Sequence, residues 1–149
     1  MKKKDIKWSN LYLDKSDKNS LIKCFDSKDI SGFSKLITKF EEEVIKFTEN
    51  KYAIACSNGT VALWVAFEAI RIIKKKKIKI AVPTWSYIAP ANAADYVGKL
   101  VLCDSDYKSH NIDPKKIKKD VDVICAVDMA GAPSNYNSLK KLKKIIVSD

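Results

Sequence analysis

Between two aspartates, the segment VDVICAVD (Val121–Asp128) runs Val-Ile-Cys-Ala-Val without interruption. A strand with one wet face alternates apolar and polar residues; an unbroken apolar run is expected of a strand covered on both faces, as in a parallel sheet. KIKIAVP (Lys77–Pro83), KLVLCD (Lys99–Asp104), IIVSD (Ile145–Asp149) and YAIACS (Tyr52–Ser57) have similar strand character. Segments of helical type lie between them. SKLITKFEEEVIKFTEN places Leu36, Ile37, Phe40, Val44, Ile45 and Phe47 at helical spacing, with Ser31 or Ser34 as N-cap. VALWVAFEAIRII reads as a buried helix. TWSYIAPANAADYVG reads as a loop and a helix that Gly98 ends, with Pro90 in its first turn.

IDPKKIKK reads as a short helix with Asp113 as N-cap and Pro114 at the first position. MAGAPSNY is a loop and NSLKKLKK a helix. The expected order is αβαβαβ(α)βαβ, an α/β three-layer sandwich with a mainly parallel sheet. Residues 1–30 are polar with scattered apolar anchors (Trp8, Leu11, Tyr12, Leu13, Leu21, Ile22, Phe25), so they read as an N-terminal arm that packs on another surface, such as a partner subunit. Residues 31–149 form the domain proper. Asp149 follows an apolar strand with no helix after it, so the domain is expected to be incomplete.

The charge needs an account. Lys and Arg number 28 against 18 Asp and Glu, a net +10. Such an excess suits nucleic acid, but every basic residue except Arg71 is lysine, and base-reading surfaces favour the planar fork of Arg. The lysines are spread along the chain. Lys74–Lys77 and Lys140–Lys144 each follow an apolar stretch and read as solvated helix ends, where cations suit the dipole. Neither nucleic acid nor a membrane is expected as a partner. No apolar run approaches the ~20 residues of a membrane helix, and MKKKDIKW leads into no apolar signal region. The expected location is cytoplasmic. Cys24, Cys56, Cys103 and Cys125 form no CxxC pair, and His110 is the lone histidine, so no metal site is expected. Cys56, Cys103 and Cys125 lie in strand-like runs, as small buried hydrophobes do.

Ligands of open α/β sheets bind outside the carboxyl ends of the strands. Four segments put polar residues there: Ser57–Thr60, Pro83–Tyr87, Asp128–Gly131 and Ser148–Asp149. SNGT opens a helix, so it serves either as a plain N-cap or as a phosphate cradle of exposed N–H groups. Trp85 reads as a core anchor. Tyr87 is either core or a stacking ring. Asp149 is either a ligand-facing acid or a polar terminus.

Taken in order, these blocks resemble the N-terminal part of the large domain of the DegT/StrS-type sugar aminotransferases, fold-type-I enzymes dependent on pyridoxal 5'-phosphate (PLP). FEEEVIKFTENKYAIACSNGTVAL resembles the family's helix, strand and phosphate turn. VPTWSYIAPANAADYVG resembles the next strand, aromatic loop and helix. DSDYKSHNIDP, VDMAGAPSNYNSLKKL and IIVSD resemble the blocks that follow. The resemblance implies that Gly59, Thr60 and the N–H of Val61 hold the PLP phosphate. It implies that Tyr87 stacks on the ring and that Asp149 pairs with the ring nitrogen. It assigns Asp128 no role; many members have His there.

The resemblance further implies a homodimer acting on a nucleotide-linked keto sugar, with glutamate as amino donor, in polysaccharide or amino-sugar biosynthesis. A relative whose lysine is replaced acts as a dehydratase. The Schiff-base lysine and the small C-terminal domain lie beyond the Asp that Asp149 matches, so no lysine here takes that role. The isolated chain is expected to be catalytically inactive. A non-catalytic phosphate- or nucleotide-binding α/β module is the alternative reading, and a basic nucleic-acid binder a third.

Overall fold

The computed structural model describes residues 11–149, so Trp8 lies outside the described residues. Two compact units meet in sequence at Ala55 and Cys56.

In the first unit, Asp14 starts helix α1 (Lys15–Ser27). Its carboxylate accepts the N–H groups of Ser16 and Asp17 at 2.7 and 3.2 Å, and the Asp17 carboxylate accepts that of Asp14 at 2.8 Å. This reciprocal box satisfies donors that a helix start otherwise leaves open. A helix therefore stands where the sequence reading placed an arm. Ser34 caps α2 (Lys35–Thr48) by accepting the Leu36 N–H at 3.0 Å, as expected. Neither helix contains a buried residue.

The second unit holds helix α3 (Gly59–Lys74) and a four-stranded, fully parallel sheet. Its strands are β1 (Lys79–Pro83), β2 (Lys99–Cys103), β3 (Val123–Ala126) and β4 (Ile145–Ser148), in spatial order β2-β1-β3-β4. Helix α4 (Ile88–Val97) joins β1 to β2, and α5 (Tyr136–Lys141) precedes β4. All four residues of β3 are buried, which accounts for its unbroken apolar run.

The two faces of the sheet carry separate cores. On one, Ile80, Val82, Val123 and Cys125 meet Leu63 and Phe67 of α3 and Ala93, Ala94 and Val97 of α4. On the other, Ala81, Ile124 and Ala126 meet Ile112, Val121 and Leu139. Burial of a side chain such as Phe67 stabilises by roughly 1.5–3 kcal/mol. Gly98 ends α4 as expected: its N–H donates to Ala94 O at 2.9 Å while Lys99 N–H donates to Ile78 O at 2.8 Å. A Cβ on Gly98 would collide with that Ile78 carbonyl oxygen.

At the amino edge, Asp122 fastens β3 to β1. Its carboxylate accepts Lys76 Nζ at 2.6 Å and the Lys79 N–H at 3.0 Å, and its own N–H donates to Lys79 O at 2.8 Å.

Three expectations are corrected. Residues 52–57 form no strand, and the sheet's order does not include them; an extended segment counts as a strand only with a ladder partner. IDPKKIKK forms a turn rather than a helix. Asp113 accepts the Lys115 N–H at 2.9 Å through its side chain and the Lys116 N–H at 3.0 Å through its carbonyl, and there the chain bends away. Ile112 is buried in the core before the turn begins, so only Ile117 remains as a large apolar residue beyond Asp113, and the segment has little helical face to bury. Cys56 is exposed, while Cys103 and Cys125 are buried as expected.

Candidate functional site

Helices α3 and α4 run antiparallel to the strands they flank, so both begin at the carboxyl edge of the sheet. This is where ligands of such sheets bind. Asn58 caps α3 from an extended backbone: its side-chain oxygen accepts the Val61 N–H at 3.0 Å, and its carbonyl accepts the Ala62 N–H at 3.1 Å. The Val61 amide, a candidate phosphate donor, is thus already engaged by Asn58. Around Gly59 the space is open; an added Cβ would meet nothing within 4 Å. Thr60 shares the stripe of Leu63 and Phe67, three and seven residues on, and these two are buried on the sheet.

Beyond β1, Thr84 N–H donates to Cys103 O at 2.8 Å, and Tyr87 takes the N-cap position of α4. Tyr87 is 78% exposed, so its ring is no core anchor. Trp85 is not one either. It is 59% exposed, and its ring lies 6.4 Å from that of His110, tilted by 45°. Trp85 sits in the loop between β1 and α4 and belongs to neither core.

Two hollows flank α4. One, of about 390 Å³, is lined by Thr60, Val61, Trp64, Asn92, Ala93 and Tyr96. Trp64 and Tyr96 meet there edge to face, with centroids 5.4 Å apart. The other, of about 400 Å³, includes Thr84, Tyr87, Ile88, Asn92 and Leu102. Asn92 borders both. Thr60 and Val61 therefore share one hollow and Tyr87 lies in its neighbour, while Asp149 lines neither.

Asp149 continues β4. Its N–H donates to Ala126 O at 2.8 Å, and its carbonyl accepts the Asp128 N–H at 2.9 Å. Along β4, Ile146 packs into the α5 core and Val147 into the α3/α4 core. Alternation then places Asp149 on the same face as α3 and α4. The electrostatics agree. Burial pushes the Cys125 thiol on that face up to about 12, and the Asp149 charge adds to the effect. Partial burial of the carboxyl also holds Asp149 above its ordinary range, although the residue as a whole is exposed. Thr60, Tyr87 and Asp149 thus share one edge and one face of the sheet.

Asp128 has a structural task. Its Oδ1 accepts the Ser134 N–H at 2.8 Å and the Tyr136 hydroxyl at 3.0 Å. Asn111, 2% exposed, ties two loops together: its Nδ2 donates to Ala132 O at 2.9 Å and its Oδ1 accepts the Met129 N–H at 3.0 Å. Sequence reasoning missed Asn92, Asn111 and Tyr136. No spacing marks the first two, and Tyr136 stands at a loop–helix junction where periodicity says nothing.

The model of the DegT/DnrJ/EryC1/StrS aminotransferase family matches residues 12–146. The chain belongs to this family. Among relatives, the chain is 36% identical over 107 residues to the GDP-perosamine synthase of Caulobacter vibrioides, covering 71% of this chain and 28% of that protein. It is 30% identical over 146 residues to the UDP-4-amino-4,6-dideoxy-N-acetyl-beta-L-altrosamine transaminase of Campylobacter jejuni, covering 93% and 38%. Helicobacter pylori PseC, an aminotransferase involved in the biosynthesis of pseudoaminic acid, superposes with a TM-score of 0.84 at 26% identity, over 98% of this chain and 41% of that one. This member of the aminotransferase family thus spans about a third of the length of its curated relatives, and its parallel sheet is that of the fold-type-I enzymes. Among the described residues, no helix is long and apolar enough to cross a membrane.

Proposed function

We propose that this chain carries the cofactor-binding edge of a PLP-dependent aminotransferase that acts on a nucleotide-linked keto sugar, with glutamate as amino donor and a homodimer as the working form. Residues 31–149 are the N-terminal part of its large domain and residues 1–30 an arm. One observation carries the reading: the open turn at Gly59–Thr60 and the Asp149 carboxyl stand on the same face and edge of the sheet.

The residues suit the group. The amides of Gly59 and Thr60 and the Thr60 hydroxyl suit a phosphate at a helix N-terminus. Val61 joins them when Asn58 turns its side chain away. The exposed ring of Tyr87 offers a flat face for stacking. Asp149 is a carboxyl raised by burial, and a ring cation beside it favours the ionised form and keeps its own proton. When bound, PLP supplies an electron-accepting ring that stabilises negative charge on the carbon bearing the amine. Asp149 holds the proton on the ring nitrogen, while the turn and Tyr87 fix the ring's plane.

Thermal unfolding with PLP, ATP or NAD tests the reading. Stabilisation by PLP that is lost in Asp149→Asn and Thr60→Val supports it; a ligand at 100 times Kd adds about 2.7 kcal/mol. Stabilisation by ATP or NAD alone favours a non-catalytic nucleotide-binding module and overturns it.

A further inference from the structure

The Tyr136 phenol joins the last residue of β4 to a residue two positions past the end of the neighbouring β3. Its oxygen lies 2.5 Å from Ser148 Oγ at the end of β4 and donates to Asp128 Oδ1, just past the end of β3, at 3.0 Å. Asp128 is itself held by the Ser134 N–H at 2.8 Å, and the Asp128 N–H donates to the carbonyl of Asp149 at 2.9 Å. Tyr136 is the first residue of α5 and packs against the core opposite to α3 and α4. Ser148 is the residue immediately before Asp149, and successive residues of a strand face opposite ways. The phenol therefore grips β4 from the α5 face at the point where Asp149 leaves on the other.

Past Ala126 and Ser148, two backbone bonds fix Asp149, its N–H to Ala126 O and its C=O from the Asp128 N–H. Side-chain bonds at the edge of a sheet raise the cost of local opening there. Asp128 and Ser148, the two residues next to these bonds, both take their side-chain partner from Tyr136. Phenylalanine at 136 would keep the ring in the core and lose both bonds.

We infer that Tyr136 is a positioning residue: its hydroxyl, bridging Asp128 and Ser148, fixes the end of β4 and so the direction in which Asp149 presents its carboxylate to the ring nitrogen. The cofactor side of this inference rests on the function proposed above; the ordering of Asp149 does not.

The test compares the parent chain with Tyr136→Phe, Ser148→Ala and Asp149→Asn. Amide hydrogen exchange is read without ligand, and PLP affinity by titration. In Tyr136→Phe, the Asp128 and Asp149 amides exchange roughly tenfold faster, as expected for the loss of one or two hydrogen bonds. The Val123 and Ile124 amides of β3 keep their parent rates, which separates local loosening from a failing fold. PLP affinity falls several-fold in Tyr136→Phe and less in Ser148→Ala, which retains the Asp128 bond.

Unchanged exchange at Asp128 and Asp149 overturns the inference. So does faster exchange with unchanged PLP affinity in a parent whose binding depends on Asp149. If the parent shows no Asp149-dependent PLP binding, it is the cofactor reading that falls, and the exchange comparison still decides whether Tyr136 orders Asp149.

Discussion

Asp122 and Lys76 are joined across the amino edge of the sheet, carboxylate oxygen to ammonium nitrogen, at 2.6 Å. Burial works to raise the Asp122 carboxyl, but the Lys76 ammonium and the Lys79 N–H outweigh it and hold the group below its usual range. A carboxyl whose folded pKa is depressed stabilises the fold above its unfolded pKa, near 3.9, and that contribution fades as pH falls toward the folded value. Asp122→Asn should therefore lower stability by about 1–3 kcal/mol at pH 7. It should also flatten the loss of stability below about pH 5. Urea midpoints from pH 7 down to about pH 3 read both effects; parallel curves for parent and variant would refute this.

Gly98→Ala is expected to destabilise although its φ, at −146°, is not left-handed. The obstacle is the Ile78 carbonyl oxygen, a backbone atom that also receives the Lys99 N–H. Relief requires the α4–β2 junction to move away from Ile78, immediately before β1, with a cost of roughly 1–3 kcal/mol as for other overpacked sites. A denaturant midpoint equal to the parent's would show that the junction yields freely.

Phe67 is fully buried between α3 and the sheet. Phe67→Ala should cost about 3–5 kcal/mol, enough to unfold a marginal domain. The milder Phe67→Leu should fold with a smaller loss, read as a lowered thermal midpoint.

Thiol labelling separates the cysteines by burial. Desolvation pushes Cys103 up to about 11 and Cys125 to about 12, and both lie within the cores. The thiolate is the reactive form. At pH 8, a thiol reagent followed by mass mapping should modify Cys56, which is exposed, and the half-buried Cys24. Cys103 and Cys125 should react only once denaturant is added. Equal rates at all four would mean that the cores open readily.

The parts of the fold legible in the sequence were those where one local signal matched one tertiary fate. The apolar run at Val123–Ala126 became the central, doubly covered strand, Ser34 became an N-cap and Gly98 a helix end. Tyr52–Ser57 misled because strand composition describes a willingness to pair, whereas pairing needs a neighbour in register. IDPKKIKK misled in the opposite sense: Asp113 and Pro114 start a turn as readily as a helix, and only apolar spacing could have decided. For the candidate site, the sequence grouped polar residues at the carboxyl ends of the strands, and Thr60, Tyr87 and Asp149 do stand along that edge. The engagement of Val61 by Asn58 and the link from Tyr136 to Ser148 arise from side-chain geometry between segments. No linear pattern encodes them.

Asn92 forms a wall common to the hollow beside Thr60 and the one beside Tyr87. A bulkier side chain at that position would narrow both at once, so their shapes cannot be tuned independently through it. Trp64 and Leu102 each border a single hollow, and they are the positions from which one compartment can be remodelled while the other keeps its form.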